Sequence, residues 1–165
     1  MSKEQALNTM ATIKYRALLP TDDASAIQNL FAETFTQSVQ DLLLHTAPED
    51  LYSCFAVAVN DKESDGSKEE RIVGAIFLTP FTFVQAPTRR VLILGPVAVD
   101  TSRQGQGIGQ ALIHYGLEQI KSTSVAEVVI TYGSPVFYGK TVFQPLSTEV
   151  VAPPFVLSQP HGWLG

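Results

Sequence analysis

The sequence predicts a single α/β domain in which a mixed sheet is flanked by helices. Strand-like runs of β-branched and aromatic residues alternate with segments of helical periodicity, and a glycine-rich turn joins one long strand directly to a helix. At 165 residues the chain is long enough to close one hydrophobic core and too short for two comfortable domains. We therefore expect one domain over residues 1–165, with its core at about 12–150 and an irregular tail at 151–165.

The composition is that of a folded protein without a polyanionic partner. Apolar residues make up 45% of the chain and charged residues 16%, which is typical of a globule. Eleven Lys and Arg against sixteen Asp and Glu give a net charge of −5, and no basic stripe stands out that would neutralise a run of phosphates. We expect no nucleic-acid partner. The acidic balance suits a cationic amine, although a mildly acidic surface is also common for solubility alone.

The cysteine count and the lengths of the apolar runs indicate the cellular compartment of the protein. The single Cys54 excludes an internal disulfide, as expected in a reducing compartment. The first fifteen residues contain no apolar block of the kind found in a secretory signal. The longest apolar stretch, Val91–Val99, is about half as long as a bilayer-spanning helix and contains Gly95–Pro96. The sequence therefore predicts a soluble cytoplasmic protein with no membrane association, and it is compatible with a monomer or a homodimer.

The first fifty residues predict a strand and two helices. Ile13–Leu18 is a short strand, and the segment Pro20–Asp22 supplies a helix start. In the first helix, residues recur at helical spacing at Ile27, Leu30, Phe31, Thr34 and Phe35. A second short helix over Val39–Leu44 should end before Pro48, because proline disfavours the helical conformation of the residue that precedes it.

Strands dominate the middle of the chain. Cys54–Val59 and Arg71–Leu78 are predicted to form a hairpin around the charged, Ser- and Gly-containing loop Asn60–Glu70. Thr88–Val99 is a long strand. Because the Gly95–Pro96 pair cannot continue a regular ladder, we expect a bulge or a splay at that point.

The last third of the chain is predicted to contain a helix, a buried strand and a turn. The helix covers Gly107–Lys121, and the strand covers Glu127–Tyr132. Ser134–Lys140 is a turn or short helix after Pro135, and an extended stretch begins at Phe143. The apolar face of the helix consists of Ile108, Ala111, Leu112 and Tyr115.

The segment Leu94–Gly109 is the part of the sequence that points to chemistry. Its strand ends at Asp100 and enters the helix through a turn with glycines at positions 105, 107 and 109. Such a turn brings bare backbone amides and the positive end of a helix dipole together, which suits an anion such as a diphosphate. A tight strand-to-helix turn without a ligand would need fewer glycines.

Two kinds of glycine-rich phosphate site fit this turn poorly. A P-loop requires a Lys after its glycines, and none follows here. A dinucleotide fingerprint that begins at Gly105 requires a third glycine at position 110, where the chain has Gln110. The third kind of glycine-rich phosphate site to consider is a coenzyme A turn.

The residues of this segment resemble the GNAT superfamily of acyl-CoA-dependent N-acetyltransferases, particularly its bacterial YhbS-like branch. Gln104, Gly107 and Gly109 match the family signature Gln/Arg-x-x-Gly-x-Gly/Ala, and the strand before them reads Leu-Gly-Pro-Val-Ala-Val. Further along, Ser134–Phe143 is similar to the family's Pro-x-Phe-Tyr-x-x-x-Gly-Phe segment, with Val142 where the family usually has glycine.

The resemblance, which is close over residues 71–145, implies one N-acetyltransferase domain with a mainly antiparallel sheet of about six or seven strands. It also implies a V-shaped splay between the long central strand and the strand Glu127–Tyr132, which acetyl-CoA enters as co-substrate. The coenzyme-binding residues that it implies are Val97, Ala98, Val99, Arg103, Gln104, Gly105, Gln106, Gly107, Ile108, Gly109, Gln110, Ser134 and Tyr138. We expect no metal, since the three histidines are isolated and lack ligand spacing.

The resemblance assigns roles to a few of these residues. The backbone amides of Val97 and Val99 would hold the thioester carbonyl, and Tyr138 would act as the general acid for the departing thiolate. Ordinary alternatives exist, because valines are core residues, a tyrosine often packs at an edge, and Ser134 is suited to start a turn. Glu33 on the first helix is the candidate base, and a solvent-facing glutamate is its ordinary alternative.

The predicted function is transfer of the acetyl group of acetyl-CoA to a primary amine of a small molecule, by direct attack in a ternary complex. A ping-pong route through Cys54 is not favoured, because no histidine is tied to that thiol. Two alternatives stay open: a non-catalytic acyl-CoA-binding or sensor module, and an acetyltransferase for protein lysines or N-termini.

Overall fold

The centre of the molecule is a six-stranded sheet. The computed structural model describes residues 12–17, 19, 21–22, 25–27, 29–30, 52–61, 66–153 and 156–165. The strands are β1 (Thr12–Ala17), β2 (Tyr52–Asp61), β3 (Lys68–Phe83), β4 (Ala86–Val99), β5 (Val128–Tyr132) and β6 (Trp163–Leu164). Helix α1 (Ile108–Thr123) follows β4, and the short helix α2 (Pro135–Tyr138) follows β5.

The strands lie in the sheet in the order of the sequence. Neighbours from β1 to β4 are antiparallel, β4 and β5 are parallel, and β6 is antiparallel to β5. The predicted fold class, a mixed and mainly antiparallel sheet flanked by helices, is therefore confirmed. The predicted hairpin of Cys54–Val59 and Arg71–Leu78 is the antiparallel pair β2 and β3. Strand β3 is longer than predicted, because it runs past Leu78 to Phe83, with only residues 84–85 as the turn to β4.

Helix α1 is the crossover that a parallel pair of strands requires. It covers one face of the sheet with its buried residues Ile108, Gly109, Leu112, Ile113, Gly116 and Ile120. Residues 25–27 and 29–30 are also helical, and Leu30 packs on the opposite face. That face presents Val57, Val59, Ala75, Phe77 and Ala98. The alternation of strand side chains thus supplies two apolar faces, each with a helix to cover it.

The last residues of the chain belong to the sheet. Trp163 is 1% exposed and packs in a cluster with Val91, Ile130 and Leu157, while its indole Nε1 donates to Val151 O at 3.0 Å. The sequence predicted an irregular tail because β6 has only two residues, too few to show a period of two. The extended stretch predicted from Phe143 is reduced to one bridge between Pro145 and Leu164.

Some predictions fall on residues that the structure does not describe. The part of the first helix from Phe31 to Phe35, and the second helix over Val39–Leu44, lie outside the described residues. Within the residues that are described, none of the helices is both long and apolar enough to span a bilayer. The same residues contain no group of three or more His, Cys, Asp or Glu arranged to hold a metal ion.

Candidate active site

The site begins where β4 and β5 separate. The parallel ladder between them ends at the pair Leu94↔Thr131. Strand β4 continues to Val99, paired on its other edge with β3. Just after the ladder ends, Gly95–Pro96 together lie opposite the single residue Phe77 of β3, which is a bulge that redirects the strand. The splay predicted at this pair is present.

The splay leaves two backbone amides of β4 directed at the gap. Asp100 N–H donates to Val73 O of β3 at 2.8 Å. Because N–H groups alternate in direction along a strand, the amide of Ala98 also points to β3, and the amides of Val97 and Val99 point the other way. On that side β5 no longer offers a partner. Two main-chain donors are thus available to a ligand.

Asp100 and Gln104 fix the turn that follows β4. The Asp100 carboxylate accepts from Ser102 N at 2.9 Å and from Ser102 Oγ at 2.6 Å, and it forms an ion pair with Arg71. The Ser102 hydroxyl bond and the Arg71 charge hold the pKa of Asp100 below its ordinary value. Gln104 Nε2 donates to Val99 O at 3.2 Å, which satisfies the gap-facing carbonyl and leaves the amide beside it free.

The glycine turn presents backbone where other residues would present side chains. Gly105 and Gly107 both have φ of +79°, a conformation that L side chains rarely adopt. Gly107 is the N-cap of α1 and offers no side-chain acceptor to the amides of the first turn, at Ile108, Gly109 and Gln110. Together with the helix dipole, these amides make an anion site.

The third glycine of the turn serves packing. A Cβ at Gly109 would lie 3.2 Å from Phe137 Cζ and 3.4 Å from Val99 Cγ2. From the sequence alone, all three glycines are expected to allow the close approach of a ligand. At Gly109 the close neighbours are the side chains of Phe137 and Val99, so this glycine lets α1 and α2 pack tightly at one end of the gap.

A cavity of about 700 Å³ fills the gap between the glycine turn, the end of β4 and α2. Such a volume is within the usual range for small-molecule sites. Its described lining includes two cations, Arg103 and Lys140, and no carboxylate. The lining, which we call the central cavity, consists of Val97, Val99, Arg103, Gln104, Gly105, Gly107, Ile108, Gly109, Gln110, Ser134, Phe137, Tyr138 and Lys140. In a chain of net charge −5, this is a local environment suited to an anion.

Tyr138 is the titratable phenol of the central cavity. The residue is only 8% exposed, and its ring makes edge contacts with Phe137 and Phe143, at centroid distances of 5.0 and 5.8 Å. Burial raises the pKa of the Tyr138 phenol, which is therefore protonated at neutral pH. Val142, which replaces the family's usual glycine, is 62% exposed and lines a separate depression with Phe143 and Lys121, so it leaves Tyr138 in the cavity wall.

Most residues predicted for the site meet in the central cavity, and two of the described ones do not. Ala98 is buried on the opposite face of the sheet, because side chains alternate along β4. Gln106 is exposed in the turn and does not line the cavity. Glu33 lies outside the described residues. Ser134 lines the cavity and also caps α2, since its Oγ accepts from Phe137 N at 3.4 Å.

Two lining residues were missed by the sequence analysis. Phe137 and Lys140 flank the predicted acid, one residue before it and two residues after it. Lys140 could have been predicted, because a cation two residues after Tyr138 indicates a second positive charge in the cavity. The ring of Phe137 carried no such signal, because an aromatic in a short helix is usually a core residue.

The family of this chain follows from its sequence match. Residues 24–134 match the model of the acetyltransferase (GNAT) family, which is more than half of the 165 residues. The chain belongs to the GNAT acetyltransferase family. The match includes β4, the glycine turn, α1 and β5 of the GNAT domain. The family resemblance inferred from Gln104, Gly107 and Gly109 is thereby confirmed.

Known proteins extend the comparison. The uncharacterized N-acetyltransferase YhbS of Escherichia coli K12 is 27% identical over 122 residues, which are 74% of this chain and 68% of the relative. The crystal structure of E. coli YhbS in complex with CoA superposes with a TM-score of 0.72 at 21% identity, over 94% of this chain and 81% of that one. The crystal structure of a GNAT family acetyltransferase from Brucella melitensis in complex with acetyl-CoA superposes with a TM-score of 0.61 at 25% identity, over 94% of this chain and 96% of that one. The predicted GNAT fold is confirmed.

The anchoring of the glycine turn by Asp100 predicts a pH-dependent contribution to stability. Replacing Asp100 by Ala should lower the free energy of unfolding by about 1 kcal/mol at neutral pH, as loss of a helix cap does. Because the pKa of Asp100 is lowered from 3.8 in the folded protein, its contribution is complete above that value and is lost as pH falls through the lowered one. The difference between Asp100→Ala and the unmodified protein should therefore shrink below about pH 4.

Urea unfolding of both proteins between about pH 3 and pH 7 measures this difference, where the lower limit lies about one unit below the ordinary pKa of aspartate. Glu118→Ala, at an exposed carboxylate on α1, is the control and should change the stability by less than about 0.5 kcal/mol. Equal stability of Asp100→Ala and the unmodified protein at neutral pH would contradict the anchoring role.

Proposed function

We propose that this chain transfers the acetyl group of acetyl-CoA to the primary amine of a small molecule. One observation carries the proposal: the free amides of β4, the uncapped start of α1 and a buried, protonated tyrosine all face the central cavity. Membership of the GNAT acetyltransferase family supports acetyl transfer. The CoA bound to E. coli YhbS and the acetyl-CoA bound to the Brucella protein support the choice of donor.

The phosphate end of acetyl-CoA fits the glycine turn. A pyrophosphate would accept hydrogen bonds from the amides between Gly105 and Gln110, where the Cβ-free positions leave room for close approach. Arg103 and Lys140 add positive charge to the same cavity. Since the described lining carries no carboxylate, nothing in it opposes the phosphate charge.

The thioester end fits the splay. The amine nitrogen attacks the carbonyl carbon, a C–N bond forms, and the negative charge that develops on oxygen is stabilised by the amides of Val97 and Val99. The C–S bond then breaks, and the proton of the Tyr138 hydroxyl passes to the departing sulfur. The proton lost by the amine passes to a base and from it to solvent, from which the phenolate regains its own. The products are an acetamide and free CoA.

Burial suits Tyr138 to the role of acid. A phenol whose pKa is raised remains protonated until a strong acceptor such as a thiolate forms next to it. The base that takes the proton of the attacking amine is expected outside the described lining of the central cavity, which contains no carboxylate. Glu33, in the predicted first helix, is our candidate for taking the amine proton, directly or through a water.

The reaction is tested by thiol release from acetyl-CoA in the presence of polyamines, amino acids, aminoglycosides and peptides. Release with one or more small amines supports the proposal, and release only with peptides favours an acetyltransferase for proteins. Binding of acetyl-CoA in calorimetry without release by any acceptor favours a sensor module and overturns the proposed reaction.

The glycine turn predicts a charge-specific loss of binding. Gly107→Glu should weaken acetyl-CoA binding at least about tenfold, because a carboxylate beside the phosphates is repelled by several kcal/mol at an effective dielectric constant of about 20. Gly66→Glu is the matched control: Gly66 also has positive φ, at +71° against +79° for Gly107, and a Cβ at either meets no atom within 4 Å. It lies in an exposed loop away from the central cavity.

Calorimetry with acetyl-CoA on both variants provides the measurement, after a check that both are folded. The control should bind within about twofold of the unmodified protein, because Gly66 does not line the central cavity. Both substitutions bring the same backbone strain and the same charge, so the two variants differ only in where that charge lies. Similar affinities for Gly107→Glu and Gly66→Glu would remove the glycine turn from the binding site.

Removal of the Tyr138 hydroxyl should reduce turnover without weakening the binding of acetyl-CoA. Tyr138→Phe should lower kcat on the order of 10²-fold while the Kd for acetyl-CoA stays within about twofold, because the ring remains and only the donated proton is lost. Steady-state kinetics and calorimetry on the same preparation separate the two quantities. An unchanged kcat would exclude Tyr138 as the acid.

A further inference from the structure

A buried hydroxyl lies where β4 and β5 separate. Among the described residues, Thr131 is the buried polar side chain, with 0% of its surface exposed. Its Oγ1 donates to Leu94 O at 2.8 Å. Leu94 and Thr131 form the last pair of the β4–β5 ladder, so this side-chain bond closes the ladder just before the gap opens.

The same side chain interacts with the Tyr138 phenol and lowers its pKa, against the larger effect of burial, which raises it. A carbonyl oxygen can only accept, so in the bond to Leu94 the Thr131 hydroxyl is the donor. Tyr138 is thereby connected through one side chain to the strand that carries the free amides of the central cavity.

Gly133 forms the surface on which the Tyr138 ring rests. A Cβ at Gly133 would lie 2.5 Å from Cε2 and 3.3 Å from Cδ2 of Tyr138, closer than side chains tolerate. The backbone of Gly133 is itself held, because its N–H donates to Gly162 O at 3.0 Å. Phe137 and Phe143 contact the ring at other points of its circumference. The Cδ2–Cε2 edge of the phenol ring therefore lies against the main chain of Gly133.

We propose that Thr131 and Gly133 are positioning residues that hold the Tyr138 phenol at a fixed place relative to the free amides of β4. Acetyl transfer requires this, because the oxygen and the sulfur of one thioester must meet the amides and the phenol at the same time. As a statement about catalysis, the inference rests on the proposed function. As a statement about the ring's position, it stands on the contacts of Thr131 and Gly133 alone.

Gly133→Ala tests the contact with the ring. The added methyl should displace the phenol and lower kcat at least about tenfold, since a misplacement of about 1 Å can cost on the order of 10²-fold, while the Kd for acetyl-CoA changes by less than about twofold. In a Tyr138→Phe background, the same substitution should cost little more, because the displaced hydroxyl is already absent. An equal loss in both backgrounds would mean that Gly133 acts on something other than Tyr138.

Thr131 is tested with a matched pair of variants. Thr131→Val keeps the shape and removes the hydroxyl, whereas Thr131→Ser keeps the hydroxyl. The valine variant should lower kcat several-fold, and the serine variant should recover most of that loss. Equal loss in both variants would assign Thr131 to packing and overturn its positioning role.

A spectroscopic readout separates this inference from the proposed function. With ring-¹³C-labelled tyrosine, the NMR signal that disappears in Tyr138→Phe reports the surroundings of the phenol without any turnover. That signal should move in Gly133→Ala and in Thr131→Val, and stay near its original place in Thr131→Ser. If the signal moves in these two variants while no amine is turned over, the proposed reaction is rejected and the positioning of the ring by Thr131 and Gly133 is supported. An unmoved signal in the first two variants would overturn the positioning.

Discussion

The geometry of the central cavity depends on the loss of a sheet partner along one edge of β4. A backbone amide inside a protein normally has a hydrogen-bond partner, and leaving it without one is costly. Beyond the pair Leu94↔Thr131, β5 supplies no further partner, and the amides of Val97 and Val99 face the central cavity. The bulge at Gly95–Pro96 creates this situation while β3 keeps the other edge of the strand in place. An open edge held rigidly is what an oxyanion site requires, because its donors need no rearrangement during the reaction.

The glycine turn and the free amides of β4 are parts of one continuous piece of chain. Strand β4 ends at Val99, the turn anchored by Asp100 and Gln104 follows, and α1 begins directly after Gly107. The distance between the amides of the glycine turn and the free amides of β4 is thereby set by local structure. The third group, Tyr138, comes from another element, and its place depends on the contacts at the end of β5. The first two parts follow from one sequence motif, and the third needs the tertiary fold.

The sequence predicted the fold and much of the cavity because the signals are local. The Gly95–Pro96 pair marked the splay, and the glycines after Asp100 marked the anion turn. What it missed depends on contacts between distant segments. Gly109 contacts Phe137, Trp163 completes a core cluster with Val91, and β6 is too short to have a pattern of its own. Thr131 looked like one residue of an apolar strand, since its partners Leu94 and Tyr138 are set by the register and by the turn after β5.

The central claim, that the amides of Val97 and Val99 are the donors of the splay, is tested most directly by amide NMR during titration with acetyl-CoA. The account predicts that the amide signals of these two residues shift strongly as the thioester binds. The amide of Ala98, which lies between them and points to β3, should shift much less and so provides an internal control. Binding that shifts Ala98 as much as its neighbours, or that leaves Val97 and Val99 unchanged, would contradict the account.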